Sequence, residues 1–490
     1  MGEIVEWDAA GLVRAVAGRQ VSCVEVVEAY LEHIDAVDPH VGAIVGRQDA
    51  EISLRQARER DEQLRRGEPP GPLHGFPYAV KDLTEANGLP WTEGSPVYRD
   101  RVGRQDALLV QRAKAAGAVV IGKTNTPEFG LGSQTYNPVW GTTGNAYDPS
   151  RTAGGSSGGA AVALALRMLP VADGSDYMGS LRNPAAFNNV LGMRPSWGLV
   201  PSPGWTAQLA TAGPMARTVD DLARLLSVLA GPHPSAPLAG GVGRGEPGAD
   251  GGEFAGLDAA LGTDGEPLRG VRVAWVGDWG GRLATDPGVL EVCRSSLAVF
   301  EALGCEVTEA RPHFALEEIW RTFLAWRGWA NLERYGLYED PATRALMKPE
   351  AVWEVERGAA LSALDLAEAA ASRDRWYEAL TEFFGRYDYV LAPAAQVFPF
   401  RKETHWPERI AGRAMDTYHR WMETVVPWTL AGVPVIAMPA GFGGGGPEGG
   451  LPAGVQLVGR HGDDAGLLRL ARAYERETGW VERVRPALVG

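Results

Sequence analysis

Three serines and one lysine lie in loops whose composition suits nucleophilic chemistry. A serine hydroxyl attacks a carbonyl carbon well only when a base removes its proton. Ser156 and Ser157 lie inside G-G-S-S-G-G, Ser180 lies in a second Gly-Ser-rich loop, and Lys81 ends the run F-P-Y-A-V-K. Only five of the 47 basic residues are lysines, so a lysine in a glycine- and proline-flanked loop indicates a need for the one cation that readily loses its proton.

The two serine loops are joined by an apolar, alanine-rich run from Ala160 to Leu166, which predicts a buried helix. A helix that begins just after Ser157 would direct free backbone N–H groups and its positive dipole end at the first loop. A helix of about two turns and a short strand would let the loops face each other. Residues 76–80 predict another short strand, with Lys81 at its carboxyl end.

The remaining pattern predicts an α/β protein. A capping box at Ser22 and Glu25 begins one helix, and residues 51–66 form a charged amphipathic helix. Residues 118–121 are all apolar, which is typical of a strand buried on both faces. Strands and helices then alternate, with strands at 271–276, 305–307 and 389–391 and helices at 107–116, 289–303 and 465–475. We therefore expect a large mixed, mainly parallel twisted sheet covered on both faces by helices.

The 490 residues are interpreted as a single domain, 1–490, with three distinct regions. These are a helical N-terminal region at about 1–66, a Gly/Pro-rich linker at about 231–265 and a helical aromatic insertion at about 318–384. The linker contains G-R-G-E-P-G at 243–248, a formal dinucleotide-binding match that we attribute to chance because no strand precedes it. Some tryptophans of the insertion could wall an apolar pocket, namely Trp320, Trp326, Trp329, Trp353 and Trp376.

Composition excludes several classes of function. A net charge of −14 and the lack of a basic run oppose binding to nucleic acid or to anionic membranes. The acidic amino terminus does not resemble a secretion signal, and no apolar run reaches membrane-spanning length, so we expect a soluble cytoplasmic protein. Three cysteines without C-x-x-C spacing and eight scattered histidines indicate no disulfide framework, no metal and no cofactor.

Several spaced motifs together resemble the amidase signature family of serine hydrolases. The serine loops, G-G-S-S-G-G and G-S-D-Y-M-G-S-L-R, carry the resemblance with H-G-F-P-Y-A-V-K-D-L upstream. It continues in the family's order through 122–130, 213–222, 431–441 and 450–460. The resemblance covers most of the chain and implies the amidase signature fold.

The resemblance also implies a catalytic triad. Ser180 would be the nucleophile, Ser156 a middle serine next to a cis peptide bond, and Lys81 the terminal base, with Ser157 in support. To act as a base near neutrality, Lys81 needs a pKa well below the usual value of about 10.4, and burial beside a helix start would lower it. The oxyanion would be stabilised by the backbone N–H groups of the loop residues Tyr177, Met178, Gly179 and Ser180.

This chain departs from the family pattern at two positions. Met178 stands where the family usually has a glycine, and Thr429 stands where it often has asparagine. Asp176 and Arg182 match family positions and are interpreted as a charge pair that braces the loop. Other polar residues could line the pocket or be ordinary turn residues: Glu128, Gln134 and Asp148.

The sequence thus predicts a cofactor-free amidase that cleaves small, apolar or aryl-containing carboxamides through an acyl-enzyme at Ser180. Carbamate (urethanase) or ester cleavage on the same triad is an alternative, as is an A-type component of the glutamyl-tRNA amidotransferase. A non-catalytic binding protein is disfavoured because Lys81, Ser156 and Ser180 are all present. An α/β-hydrolase interpretation of G-G-S-S-G is disfavoured because a turn-like segment, not a strand, precedes it. The expected binding partner is a small amide substrate. A homodimer is left open as the oligomeric state.

Overall fold

The computed structural model describes residues 4–202, 209–239, 268–443 and 450–490. The larger part of the predicted linker, 240–265, and its G-R-G-E-P-G run lie outside these residues. Within them the α-helices, labelled α1 to α17, are Ala9–Ala17, Cys23–Val37, Ala50–Arg65, Leu108–Ala115, Gly158–Ala165, Arg182–Phe187, Val219–Leu229, Pro287–Ser295, Leu297–Ala302, Leu316–Asn331, Tyr335–Glu339, Pro341–Arg344, Pro349–Ala359, Ala363–Phe384, Val426–Ala431, Asp464–Thr478 and Trp480–Arg483.

The strands of the same residues, labelled β1 to β15, are Ile44–Val45, Pro77–Lys81, Val119–Thr124, Tyr136–Asn137, Gly141–Thr142, Val171–Asp176, Leu191–Arg194, Thr211–Ala216, Arg272–Trp275, Glu306–Glu309, Tyr389–Pro393, Arg409–Ile410, Arg413–Ala414, Val435–Gly443 and Leu451–Val458. Eight of them form one sheet in the order β10-β9-β11-β15-β14-β7-β8-β6, and β1-β3-β2 form a smaller sheet. The α/β class with a large mixed sheet is confirmed.

Both faces of the large sheet are covered, as the alternation of side chains along its strands shows. Val273 of β9 and Leu391 of β11 pack into one apolar core, while their neighbours Ala274 and Val390 pack into a second core. Successive side chains of a strand point to opposite faces, so these two cores lie on opposite sides of the sheet. The second core is formed largely by helices α10, α14 and α15.

The strand directions differ from the mainly parallel pairing expected for the large sheet. Strand β9 pairs in parallel with β10 and β11, whereas the other neighbouring pairs among its described strands are antiparallel. The parallel strands are separated along the chain by helices that carry it back across the sheet. Strands β14 and β15 have no helix between them in the described residues, and adjacent strands joined directly pair antiparallel.

The smaller sheet delivers Lys81. Strand β2 ends at Lys81 and pairs in parallel with β3, which is buried along its whole length as the apolar run at 118–121 predicts. Strand β2 also packs beside β6 of the large sheet. The last residue of β2 therefore faces the segment that contains the second serine loop.

Helices α10 and α13 of the aromatic insertion cross at two glycines. A Cβ atom at Gly358 would overlap the carbonyl oxygen of Gly328, so the two backbones lie in direct contact. Small residues at a crossing allow helices to approach more closely than larger side chains permit. This contact fixes the position of α10 relative to α13, and α10 forms one wall of the cavity described below.

Gly358→Ala is therefore expected to lower the free energy of unfolding by about 1–3 kcal/mol, because the added methyl group forces the helices apart. Gly336→Ala, in exposed helix α11 with open space around the Cα, is the matched control and should stabilise by up to about 1 kcal/mol. Denaturant unfolding of both variants measures the difference. Equal unfolding free energies for the two would contradict the close crossing.

The three cysteines are buried, and none of them forms a disulfide bond among the described residues. None of the described helices combines the length and the apolar character needed to cross a lipid bilayer.

Candidate active site

Lys81 lies at the centre of a cluster of hydroxyl groups. Its Nζ donates to the Oγ atoms of Ser156 and Ser157, both at 2.8 Å, and to Ser175 Oγ at 3.1 Å. The side chain of Lys81 is fully buried. The structure thus brings together three residues that the sequence singles out, from segments 75 residues apart.

The pKa of Lys81 is lowered to about 7, because burial penalises the charged ammonium. The buried carboxylates of Asp173 and Asp176 oppose this effect and raise the pKa. Asp173 also accepts the backbone N–H of Lys81 at 3.4 Å. At neutral pH a large fraction of Lys81 is therefore uncharged and able to accept a proton.

The glycines around the first serine loop allow it to lie against its neighbours. A Cβ atom at Gly159 would overlap the backbone nitrogen of Asn125, the residue after strand β3. The first turn of helix α5 therefore packs directly against the backbone at the edge of the smaller sheet. Ser157 is the N-cap residue of α5, yet its side chain makes no capping bond and contacts Lys81 instead. The Gly155–Ser156 peptide bond is cis, as the family resemblance implies.

Ser180 lies in the loop between strand β6 and helix α6. Helix α5 and strand β6 connect the first serine loop to this one and bring the two loops into contact. The Ser157 N–H donates to the Ser180 carbonyl oxygen at 3.2 Å. Ser156 and Ser180 line the same cavity. Both are described residues, and no hydrogen bond joins their Oγ atoms here. Catalytic hydrogen bonds are often long without substrate and shorten once it binds.

Asp176 and Arg182 form the charge pair expected from the sequence. Arg182 donates from Nε to Asp176 Oδ2 and from Nη2 to Oδ1, both at 2.9 Å, and neither side chain is exposed. Burial alone would raise the pKa of Asp176, but the charge of Arg182 holds it well below its usual range. The Thr429 hydroxyl accepts from Arg182 Nη2 at 2.7 Å, so threonine supplies a hydrogen-bond acceptor where the family often has asparagine. The Asp176 carboxylate also accepts the Gly179 N–H at 2.9 Å.

This last bond changes the expected oxyanion hole. Because the Gly179 N–H donates to Asp176, the N–H groups of Tyr177, Met178 and Ser180 are the remaining candidates. Gly179 has a φ of +80°, a conformation that favours glycine. Met178 is not among the residues with positive φ, and its side chain is buried in the second core. The loop therefore accommodates a methionine where the family usually has glycine.

The serines open into a cavity of about 450 Å³ whose wall is mostly apolar. Leu83, Phe129 and Leu131 line one part of the wall, and Trp329, Ala330 and Leu332, from the aromatic insertion, line another. Of the tryptophans that the sequence analysis predicted as candidates for the cavity wall, Trp329 lines the cavity. Trp320 and Trp376 are instead buried in the second core. Such a cavity suits a small molecule with an apolar or aromatic body.

The other polar candidates have structural partners. Glu128 accepts from Ser95 Oγ at 2.8 Å, Gln134 donates to the carbonyl oxygens of Lys402 and Thr404, and Asp148 accepts from Ser150 in a turn. None of the three lines the described part of the cavity.

Sequence reasoning missed five polar residues that line this cavity, namely Ser175, Arg327, Asn331, Glu333 and Arg334. Ser175 lines the cavity and supplies a further hydroxyl to Lys81. Its position just before Asp176, at the end of strand β6 in a Gly-Ser-rich stretch, was the available signal. Arg327, from helix α10, also lines the cavity, and nothing in the helical pattern distinguishes it from the many other arginines.

A lysine-serine cluster on the floor of an apolar cavity, carried by a mixed α/β sheet, is the arrangement of an amide-hydrolysing enzyme. The chain belongs to the amidase family, whose sequence model matches residues 25–468. It is 35% identical to an acylamidase from Rhodococcus erythropolis over 97% of this chain and 96% of that one. It is 33% identical to the A-type component of a glutamyl-tRNA(Gln) amidotransferase from Chloroflexus aggregans, over 97% and 96% respectively. The crystal structure of a bacterial aryl acylamidase superposes with a TM-score of 0.86 at 25% identity, covering 97% of each chain.

Proposed function

We propose that this enzyme is a serine hydrolase for small, neutral carboxamides with an apolar or aryl body, and that Ser180 carries the acyl group. The observation that supports this most is the pair of 2.8 Å hydrogen bonds from a buried lysine to Ser156 and Ser157, since Ser156 lines the same cavity as Ser180. The apolar wall of that cavity favours a neutral substrate. The bacterial aryl acylamidase and the Rhodococcus acylamidase are similar along nearly their whole length.

The proposed reaction moves one proton along the cluster. Neutral Lys81 accepts a proton from Ser156 Oγ as Ser156 accepts the proton of Ser180, and Ser180 Oγ attacks the carbonyl carbon. The backbone N–H groups of Tyr177, Met178 and Ser180 stabilise the oxyanion, since the Gly179 N–H donates to Asp176. The C–N bond then breaks as the proton passes back to the leaving nitrogen, which departs as the amine. Water attacks the acyl-enzyme by the same route and releases the carboxylic acid.

The pKa of Lys81 predicts the pH dependence of this reaction. With a pKa of about 7, the uncharged fraction of Lys81 increases about tenfold for each unit by which the pH rises toward 7. It levels off above pH 8. We therefore expect kcat/KM on a neutral anilide to rise steeply between pH 5 and 7 and then reach a plateau. A profile that stays flat from pH 5.5 to 8.5, with the protein folded throughout by circular dichroism, would contradict Lys81 as the base.

Turnover by the purified chain alone tests the function. The enzyme is expected to release aniline from a panel of N-acyl anilides, with amine and acid produced in equal amounts. Matched aryl esters and carbamates on the same acyl groups measure those alternative activities. Failure to cleave any anilide, ester or carbamate would overturn the proposal.

A second candidate is supported by the 33% identity to the amidotransferase component. Such a protein would release ammonia from glutamine, whose charged amino and carboxylate groups need charged partners. The charged residues that line the cavity, Arg327, Arg334 and Glu333, are already paired within the protein, which disfavours that substrate. Glutaminase activity above anilide hydrolysis would favour the candidate over our proposal. The cytoplasmic location and the homodimer stay predictions.

A further inference from the structure

One side chain in the cavity wall does not match the apolar character of its surroundings. Arg327 lines the same cavity as Ser180, yet only 4% of its surface is exposed. Removing a guanidinium from water is costly unless partners compensate, so a buried arginine at a binding site indicates a specific arrangement.

Arg327 is held in place by two residues. Its Nε donates to Glu354 Oε1, and its Nη2 donates to the Tyr418 hydroxyl at 2.9 Å. Tyr418 in turn donates to Glu354 Oε1 at 2.6 Å. The Tyr177 ring lies against the guanidinium, with 5.2 Å between its centroid and Arg327 Cζ. Glu354 lies on helix α13, one turn before the glycine that fixes the crossing with α10. The guanidinium therefore has a defined orientation.

These contacts leave part of the guanidinium unused. Arginine carries five N–H donors in a planar fork, and the bonds to Glu354 and Tyr418 use Nε and Nη2. Within the described part of the chain, Nη1 has no protein acceptor. Because the residue lines the cavity, an oxygen atom of a bound substrate can supply the acceptor.

The charges around Arg327 favour a neutral oxygen. Glu354 already balances the charge of Arg327, and Arg334 and Glu333, which line the same cavity, pair with each other at 2.7 Å. A substrate carboxylate would leave an uncompensated negative charge in a buried site. A carbonyl oxygen accepts the hydrogen bond without adding charge.

We propose that Arg327 anchors a second carbonyl group of the substrate, distant from the scissile amide. The preferred substrates are then neutral amides with a further carbonyl in the acyl part, rather than amides of simple hydrocarbon acids. This inference rests on the proposed function, since it assumes that the amide is cleaved at Ser180.

The test uses a series of anilides of equal acyl length. In each member a ketone carbonyl replaces a different methylene of the acyl chain, and the hydrocarbon anilide is the reference. One position is expected to raise kcat/KM by about 10- to 100-fold over the hydrocarbon anilide, mainly through KM. In Arg327→Met this preference should fall below about threefold. The double variant Arg327→Met/Glu354→Met removes both charges, so it leaves no unpaired glutamate that could disturb the fold. It should lose the preference for the ketone to the same extent. Melting temperatures report the folding of both variants.

Equal kcat/KM for all ketone and hydrocarbon anilides, or a preference that persists in Arg327→Met, would overturn the anchor. A carboxylate analogue that outperforms every ketone would also overturn it. Calorimetric binding of the same compounds to Ser180→Ala measures the preference without turnover. An absence of cleavage by the wild-type enzyme thus defeats the proposed function, while equal binding of ketone and hydrocarbon compounds defeats the anchor.

Discussion

Ser180→Ala is expected to lower kcat for anilide hydrolysis by about 10⁴-fold or more, because the attacking hydroxyl is lost. Ser156 shares the cavity but bonds to Lys81, and it lies on the base side of the proposed proton path. It therefore cannot replace Ser180 without losing its own role. Steady-state release of aniline, measured with enough enzyme to detect residual activity, gives the result.

The matched control is Ser295→Ala at the exposed last residue of helix α8. Among the described residues Ser295 Oγ donates only to the carbonyl oxygen of Val292, so the variant should retain wild-type kcat. A Ser180→Ala enzyme within tenfold of wild type would require a different nucleophile.

Lys81→Ala is expected to lower kcat/KM by several orders of magnitude, because no other group in the cluster can take the proton of Ser156. The variant also removes hydrogen bonds from Ser156, Ser157 and Ser175. Lys81→Arg should be nearly as inactive, since arginine keeps its proton at every pH used. The two variants together separate the loss of a base from the loss of a cation.

Lys402→Ala is the control for Lys81, because Lys402 does not line the cavity and should leave kcat/KM unchanged. Thermal unfolding of all three variants establishes that the fold is retained. A Lys81→Ala enzyme with less than tenfold loss, or a Lys81→Arg enzyme with wild-type activity, would contradict the role of an uncharged lysine.

The contact of Lys81 with Ser156 and Ser157 was predicted from the resemblance of their motifs to the amidase signature family, and the structure brings these three residues together. Ser156 and Ser157 need glycines on either side to approach neighbouring backbone, and Lys81 needs a buried strand that ends at it. Both requirements are visible in composition and periodicity. The Asp176–Arg182 pair was likewise predicted from the family positions that the two residues match, and the structure shows it.

Other features depend on contacts between distant segments and leave no local signal. Whether neighbouring strands run parallel or antiparallel depends on how the whole chain returns to the sheet, and apolar runs such as residues 118–121 look alike in either direction. The use of the Gly179 N–H by Asp176 depends on the turn geometry of the loop. Arg327 belongs to the site only because the crossing at Gly328 and Gly358 places helix α10 over the serines.

Covalent labelling tests the central claim most directly. The enzyme is treated with a fluorophosphonate, digested, and the modified peptide identified by mass spectrometry, with Lys81→Ala treated in parallel. We predict a single adduct on Ser180 in the wild-type enzyme and labelling slowed by at least about 100-fold in Lys81→Ala. An adduct on another serine, or equal labelling rates in both proteins, would contradict the account.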